Sequence, residues 1–124
     1  KKDLGEAARL LRQAAVSGHT TAQFRLGFML LTGSAGAKNL AEAAHWFRLS
    51  AEQGNGDAQL RLGYMYAQGE GLPRDLVRAL MWLNISAAQK TDRAALMRDG
   101  LAELMTKEEV IEAGRRARNW SPGN

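Results

Sequence analysis

Residues 18–53 laid over residues 54–89, without a gap, match at 14 of 36 positions. Gly18 meets Gly54, Ala22-Gln23 meets Ala58-Gln59, and Arg25-Leu26-Gly27 meets Arg61-Leu62-Gly63. Farther along, Met29, Gly33, Leu40, Ala43, Trp46, Ser50-Ala51 and Gln53 meet Met65, Gly69, Leu76, Ala79, Trp82, Ser86-Ala87 and Gln89. This repeat constrains the fold more than any other feature of the chain. One unit of that length is too small to bury its own apolar face and must stack on a copy of itself. Stacking then repeats equivalent side chains along one surface.

Each unit divides into two helices. Ala22, Leu26, Met29 and Leu30 fall at helical spacing, as do Ala58, Leu62, Met65 and Tyr66, so the leading helix carries one apolar stripe. Gly33 or Gly69 is placed to end it in the left-handed conformation. A six-residue loop follows, and Asn39 or Asp75 is placed to cap the next helix through a side-chain oxygen. The trailing helix packs through Leu40, Ala43, Trp46, Phe47 and Ser50, or Leu76, Ala79, Trp82, Leu83 and Ser86, with the serines read as small packing residues. Gly18 and Gly54 stop the successive trailing helices. Gly27 and Gly63 lie inside the leading helices, where glycine costs about 0.5–1 kcal/mol relative to alanine. Close approach of a neighbouring helix is the expected reason for carrying that cost twice.

Toward the ends the pattern thins. Residues 4–17 align with a trailing helix alone, with Ala7-Ala8 over Ala43-Ala44, so the chain opens in mid-repeat like a piece of a longer array. The expected organisation is therefore one repeat domain over 1–124: a partial unit at 4–17, full units at 18–53 and 54–89, and a degenerate unit with a capping helix at 90–124. Ala94 and Leu96 stay in phase with Ala58 and Leu60, while the Leu-Gly pair has become Arg98-Asp99. Thr106 and Glu109 form a capping-box pattern that opens a last helix, with Val110, Ala113, Ala117 and Trp120 available for packing. The total is about seven helices, ending in a polar-faced helix that stops the stack from growing.

Composition narrows the chemistry. With no cysteine, disulfides, thiolate metal sites and a thiol nucleophile are excluded. No apolar run approaches the roughly 20 residues of a membrane-spanning helix, and no membrane insertion is expected. The chain opens at Lys1, with no secretory pattern in view, and its localisation stays open. The net charge of +4 is scattered among acids. Its densest cluster, Arg115, Arg116 and Arg118, falls at a predicted helix C-terminus, where cations offset the helix dipole. That placement is preferred to a nucleic-acid patch, and no nucleic-acid partner is expected.

With the repeat written out, the chain resembles the Sel-1-like repeats, a subfamily of tetratricopeptide-like α-solenoids. The second unit carries the motif in Ala58, Leu62-Gly63, Tyr66, Gly69-Glu70-Gly71-Leu72, Asp75, Arg78-Ala79, Trp82 and Ala87-Ala88. The first unit departs at Leu30, at Ala35 (with Gly36 one place on) and at Asn39, which affects only the loop at 33–38. The ending from Leu101 to Trp120 resembles the closing helices that follow such repeats in bacterial proteins. The resemblance implies an all-α, right-handed superhelix whose concave face, lined mostly by leading helices, holds a partner protein or peptide. It implies an adaptor, not an enzyme.

On that expectation, leading-helix positions outside the core stripe face the groove: Thr21, Phe24, Phe28, Leu31 and Thr32, then Asp57, Leu60, Tyr64, Ala67 and Gln68, then Arg93 and Leu96. Exposed aromatics on an open surface are common interaction anchors, so Phe28 and Tyr64 lead the candidates. Phe24 and Leu60 are balanced between groove and core. Phe24, Phe28, Leu31, Asp57, Leu60, Tyr64, Gln68 and Arg93 together form the expected partner-binding set. His45 with Glu42 three residues before it could supply two metal ligands, but no second pair lies nearby, and His19 falls in a loop; solvated surface is preferred for both. Gly69-Glu70-Gly71 lacks the lysine of a phosphate loop and is read as a turn. Without a convergent acid, base and nucleophile, no catalysis, cofactor or metal is expected. The competing function is recognition of a polysaccharide such as peptidoglycan, through aromatic stacking and Gln or Arg hydrogen bonds.

Overall fold

The computed structural model describes residues 4–34 and 36–123; Lys1 and Ala35, to which the sequence drew notice, lie outside them. Among the described residues there are seven helices and no strand: α1 (Leu4–Val16), α2 (Thr20–Thr32), α3 (Leu40–Glu52), α4 (Gly56–Gln68), α5 (Leu76–Ala88), α6 (Ala94–Ala102) and α7 (Lys107–Asn119). Each helix from α1 to α5 packs against the next, and α7 lies against α5. The architecture is the all-α solenoid that the repeat required.

Backbone chemistry at each boundary explains the helix lengths. At the end of α2, Gly33 takes φ +75°, and the N–H groups of Gly33 and Ser34 both donate to Met29 O, at 2.9 and 3.3 Å. At the end of α4, Gly69 takes φ +72°, and Gly69 and Glu70 donate to Met65 O at 2.8 and 3.0 Å. Both closures satisfy carbonyls that a helix end leaves open. The loops are then tied back: Asn39 N–H donates to Leu30 O at 2.9 Å and Asp75 N–H to Tyr66 O at 3.0 Å. The same two residues accept at their side chains, from Glu42 N–H and Arg78 N–H, both at 3.0 Å. Asn55 caps α4 in the same way, accepting from Ala58 N–H at 2.9 Å. His19 occupies the equivalent place before α2, without a side-chain cap bond.

Packing within a unit is set by the mid-helix glycines. A Cβ on Gly27 would lie 2.9 Å from Phe47 Cε1, and one on Gly63 would lie 3.0 Å from Leu83 Cγ and 3.1 Å from Ala79 O. The leading and trailing helices therefore approach so closely that a side chain at either position would have to displace its neighbour. Phe47, Leu62, Met65, Ala43 and Ala79 are buried in the main core beside Trp82, while Trp46 joins Leu26, Ala22 and Ala15 in a second cluster. The Trp46 indole N–H donates to Glu42 Oε2 at 3.1 Å, and the same carboxylate takes a bond from Arg12 Nη1 at 2.6 Å. Both bonds hold the Glu42 carboxyl below the ordinary range, with the Arg12 contact the larger cause.

Both between units and within them the contact is polar as well as apolar. The buried Gln23 amide donates to Ala15 O at 3.1 Å and accepts from Gln53 Nε2 at 2.8 Å. One unit later Gln59 donates to Ala51 O at 3.1 Å and accepts from Gln89 Nε2 at 2.6 Å. Ser50 Oγ and Ser86 Oγ donate to Thr20 O and Gly56 O, at 2.9 and 2.8 Å. The serines are thus small enough to pack, as expected, and are also hydrogen-bond donors. No buried side-chain nitrogen or oxygen among the described residues is left without a partner.

The array changes character at α6. Where Gly18 and Gly54 take φ +97° and +103°, the equivalent residue is Lys90 at φ +60°, and Arg93 follows at φ +71°. Ala94 is fully buried, in phase with Ala58, but the helix is shorter than the others. The capping box at α7 forms as expected, with Glu109 N–H donating to Thr106 Oγ1 at 3.1 Å and Thr106 N–H to Glu109 Oε1 at 2.9 Å. Ala113, Ala117 and Trp120 face inward, and the Trp120 ring meets Trp82 edge to face with centroids 5.7 Å apart. Beyond α7 the chain crosses to α3, where Gly123 N–H donates to Glu52 O at 2.8 Å.

Replacing Trp82 by Ala removes the ring that joins the main core to Trp120 and should cost about 3–5 kcal/mol in a denaturant titration. Replacing Lys90 by Gly relieves a left-handed side-chain residue and should raise stability by about 1 kcal/mol in the same measurement. On the outer face of α7, hydrogen bonds from Arg115 and then Arg116 lower the Glu112 carboxyl from 4.5 to about 2. Because folding depresses this pKa, the interaction is present above about pH 4.5 and is lost as the pH falls toward about 2. Carboxyl-detected NMR should find Glu112 titrating well below 4.5, and returning to the ordinary range in R115Q/R116Q.

Candidate interaction face

The leading helices α2, α4 and α6 lie side by side through their side chains. Arg61 of α4 places its guanidinium carbon 5.2 Å from the centroid of the Phe28 ring on α2. Leu60, Arg61 and Tyr64 of α4 then share a cavity of about 260 Å³ with Arg93 and Met97 at the start of α6. Three of the residues expected to contact a partner, Leu60, Tyr64 and Arg93, are therefore gathered around one hollow.

The aromatic row is graded from core to solvent. Phe47 is fully buried, and Phe24, half-buried, meets it with ring centroids 5.6 Å apart at 51°. Phe24 in turn stacks on Phe28, with centroids 6.5 Å apart and planes 28° apart. Phe28 and Tyr64 are each 40% exposed. Phe24 belongs to both surfaces: one edge in the core, the other supporting Phe28. Leu31 and Ala67 are half-buried and pack on the main core. Asp57 and Gln68 are exposed at opposite ends of α4. Leu96, placed by the repeat in line with Phe24 and Leu60, is 77% exposed and does not line the hollow; its neighbour Met97 does.

Arg61 and Met97 were not singled out from the sequence. For Arg61 a signal existed, since Arg25 and Arg61 match between the units, but a repeated arginine beside the core stripe looks like any solvated helix position. Met97 had no repeat signal, because it stands where the other units have arginine.

A larger hollow of about 810 Å³ lies between α5, α7 and the closing segment, with Ile85, Ala88, Ala117, Trp120 and Pro122 among its lining and Arg118 at its side. Neither hollow is lined by a carboxylate or a histidine. Glu42, the neighbour of His45, is committed to Arg12 and Trp46, and no group of three potential metal ligands occurs among the described residues. No described helix is long and apolar enough to cross a membrane.

Three successive matches to the Sel1 repeat family model cover residues 1–19, 20–55 and 56–90. The fold is similar to the crystal structure of a protective antigen present in uropathogenic Escherichia coli strains, displaying an SLR fold: TM-score 0.88, 32% identity, 92% of this chain and 25% of that one. It is also similar to a Sel1 repeat protein from Oxalobacter formigenes: TM-score 0.76, 40% identity, 78% of this chain and 28% of that one. The chain thus spans about a quarter of the length of these two solved relatives. Among curated proteins, none matches it. Sel1 repeats are generally protein–protein interaction modules, and proteins built from them are typically non-catalytic scaffolds. Its repeated helical pair, its stacked architecture and the family matches over its first 90 residues place this chain in the Sel1 repeat family.

Proposed function

We propose that this chain holds a segment of a partner protein along the face made by α2, α4 and α6, with Phe28 and Tyr64 as the principal anchors. The observation that carries the proposal is the pairing of two part-exposed aromatic rings with an adjoining hollow. Tyr64 stands at the hollow itself, and Phe28 is linked to it through Arg61. Burying such rings against a partner removes apolar area from water, and for Phe28 the entropic cost is small because Phe24 and Arg61 already brace that ring. Leu60 and Met97 give the hollow apolar walls and Arg93 adds a polar group beside them, while Asp57 and Gln68 stand exposed at opposite ends of α4. The repeat makes this face modular across the two full units, each of which contributes one aromatic anchor, Phe28 or Tyr64, while the equivalent position in α6 is Gly100.

The test is affinity capture with this protein as bait, followed by titration of the identified partner against the purified chain and its variants. Tyr64→Ala and Phe28→Ala should each weaken binding by roughly 1–3 kcal/mol, while the thermal midpoint stays close to that of the unaltered chain. Added peptidoglycan fragments should leave the partner's affinity unchanged. A Tyr64 variant that loses stability rather than affinity would show that the ring serves the core. Competition by the glycan would favour polysaccharide recognition instead.

A further inference from the structure

Six arginines pair with carboxylates: Arg9 with Glu6, Arg12 with Glu42, Arg78 with Asp75, Arg98 with Asp99, and Arg115 and Arg116 with Glu112. Arg25, Arg48, Arg61, Arg74, Arg93 and Arg118 have no such partner among the described residues. Two of these six stand together at the hollow on the leading-helix face. Arg61 and Arg93 both line it, and neither has a carboxylate partner among the described residues. Arg61 is instead propped on the Phe28 ring, which fixes the guanidinium without cancelling its charge. Arg25, the repeat counterpart of Arg61, is exposed on α2 and equally unpaired. Asp57, in the first turn of α4, does not line the hollow.

Two cations held beside apolar walls and a phenol make a site of defined chemistry. A guanidinium offers a planar fork of N–H donors suited to a carboxylate, and the low-dielectric wall beside it strengthens the bond relative to open water. Leu60, Met97 and the Tyr64 ring would accept an apolar or aromatic side chain flanking that carboxylate.

Resting on the binding face proposed above, we infer that the segment it holds is an acidic peptide, with Asp or Glu side chains set against Arg61 and Arg93 and an apolar residue between them in the hollow. Charge complementarity supports this occupant: a basic segment would bring like charge against two unpaired guanidiniums, and a neutral one would leave their pairing capacity unused.

The probe is a set of three fluorescein-labelled dodecapeptide pools. All three carry Leu, Phe or Tyr at alternate positions; the remaining positions hold Asp/Glu, Ser/Asn or Lys/Arg. Fluorescence polarisation at about 50 and 300 mM salt, where screening of exposed charge differs strongly, should give the acidic pool at least a tenfold lower Kd than the neutral one at low salt. The preference should shrink severalfold at high salt and be lost in R61Q/R93Q. It should persist in R48Q/K107Q, which removes the same charge from other helices, and Tyr64→Ala should weaken every pool that binds. If the neutral pool binds as tightly as the acidic one and Tyr64→Ala still abolishes binding, the acidic inference is overturned and the binding face stands. If R48Q/K107Q matches R61Q/R93Q, the preference is only net charge and the inference falls. If no pool responds to Tyr64→Ala, both the face and the inference are overturned.

Discussion

Register between units rests on a buried amide. Gln59 is fully enclosed, and its two ends are committed in opposite directions, to Ala51 O in the preceding trailing helix and to Gln89 in its own unit. A buried amide that loses a partner costs about 1–3 kcal/mol, far more than a satisfied bond contributes over water. Sliding one unit along the next would strip the Gln59 amide of its bond to Ala51 O while Gln89 holds it in place, so the buried amide rejects wrong registers that an all-apolar interface would tolerate. Gln23, Gln53 and Ser50 repeat the device one unit earlier. The alignment of Phe28, Arg61, Tyr64 and Arg93 across three helices depends on that register, because a binding surface distributed over separate units has no other means of staying in line.

Most of the local structure was legible because it is enforced by backbone chemistry that few residue types can supply. Gly33 and Gly69 close helices in the left-handed conformation, Asn39 and Asp75 cap the next ones, and Gly27 and Gly63 admit Phe47 and Leu83. Each is a local rule with a residue signature, and its recurrence removed the ambiguity. Gly71 shows the same economy: a side chain there would run into the Leu40 carbonyl, which explains the second glycine of the turn. What remained hidden was non-local. The matches Gln23/Gln59 and Gln53/Gln89 were visible as identities, yet spacing along the chain does not reveal that one amide reaches back to a preceding helix while the other closes on it. Asn55 was missed as a cap because its counterpart, His19, makes no such bond.

The candidate face was legible in outline only, and the reason is physical. Helical periodicity says which positions leave the core stripe, which selects Phe28 and Tyr64, but not how far a neighbouring helix will cover them. Leu96 illustrates the failure. Its phase matches Leu60, but Arg93 adopts left-handed backbone where its counterpart Asp57 is already helical, and α6 starts only at Ala94. Met97, not Leu96, then lines the hollow with α4. Likewise α7 packs on α5 and sends Trp120 against Trp82, an arrangement that the capping box could locate in sequence but not in space.

Core and face are not independent in the first unit. Gly27 lets Phe47 approach α2, Phe47 supports Phe24, Phe24 supports Phe28, and Phe28 carries the guanidinium of Arg61. Position 27 is therefore coupled to the charge on the face by a continuous line of ring contacts, each close enough for a displacement of a few tenths of an ångström to pass along it, since packed interiors transmit strain. The second unit lacks this line: Leu60 replaces Phe24 and Leu83 replaces Phe47, so Tyr64 stands on aliphatic neighbours that can adjust by rotamer changes. The two anchors thus differ in stiffness. Phe28 and Arg61 form the preorganised half of the surface, and Tyr64 with Met97 forms the half that can adapt to the shape of what it meets.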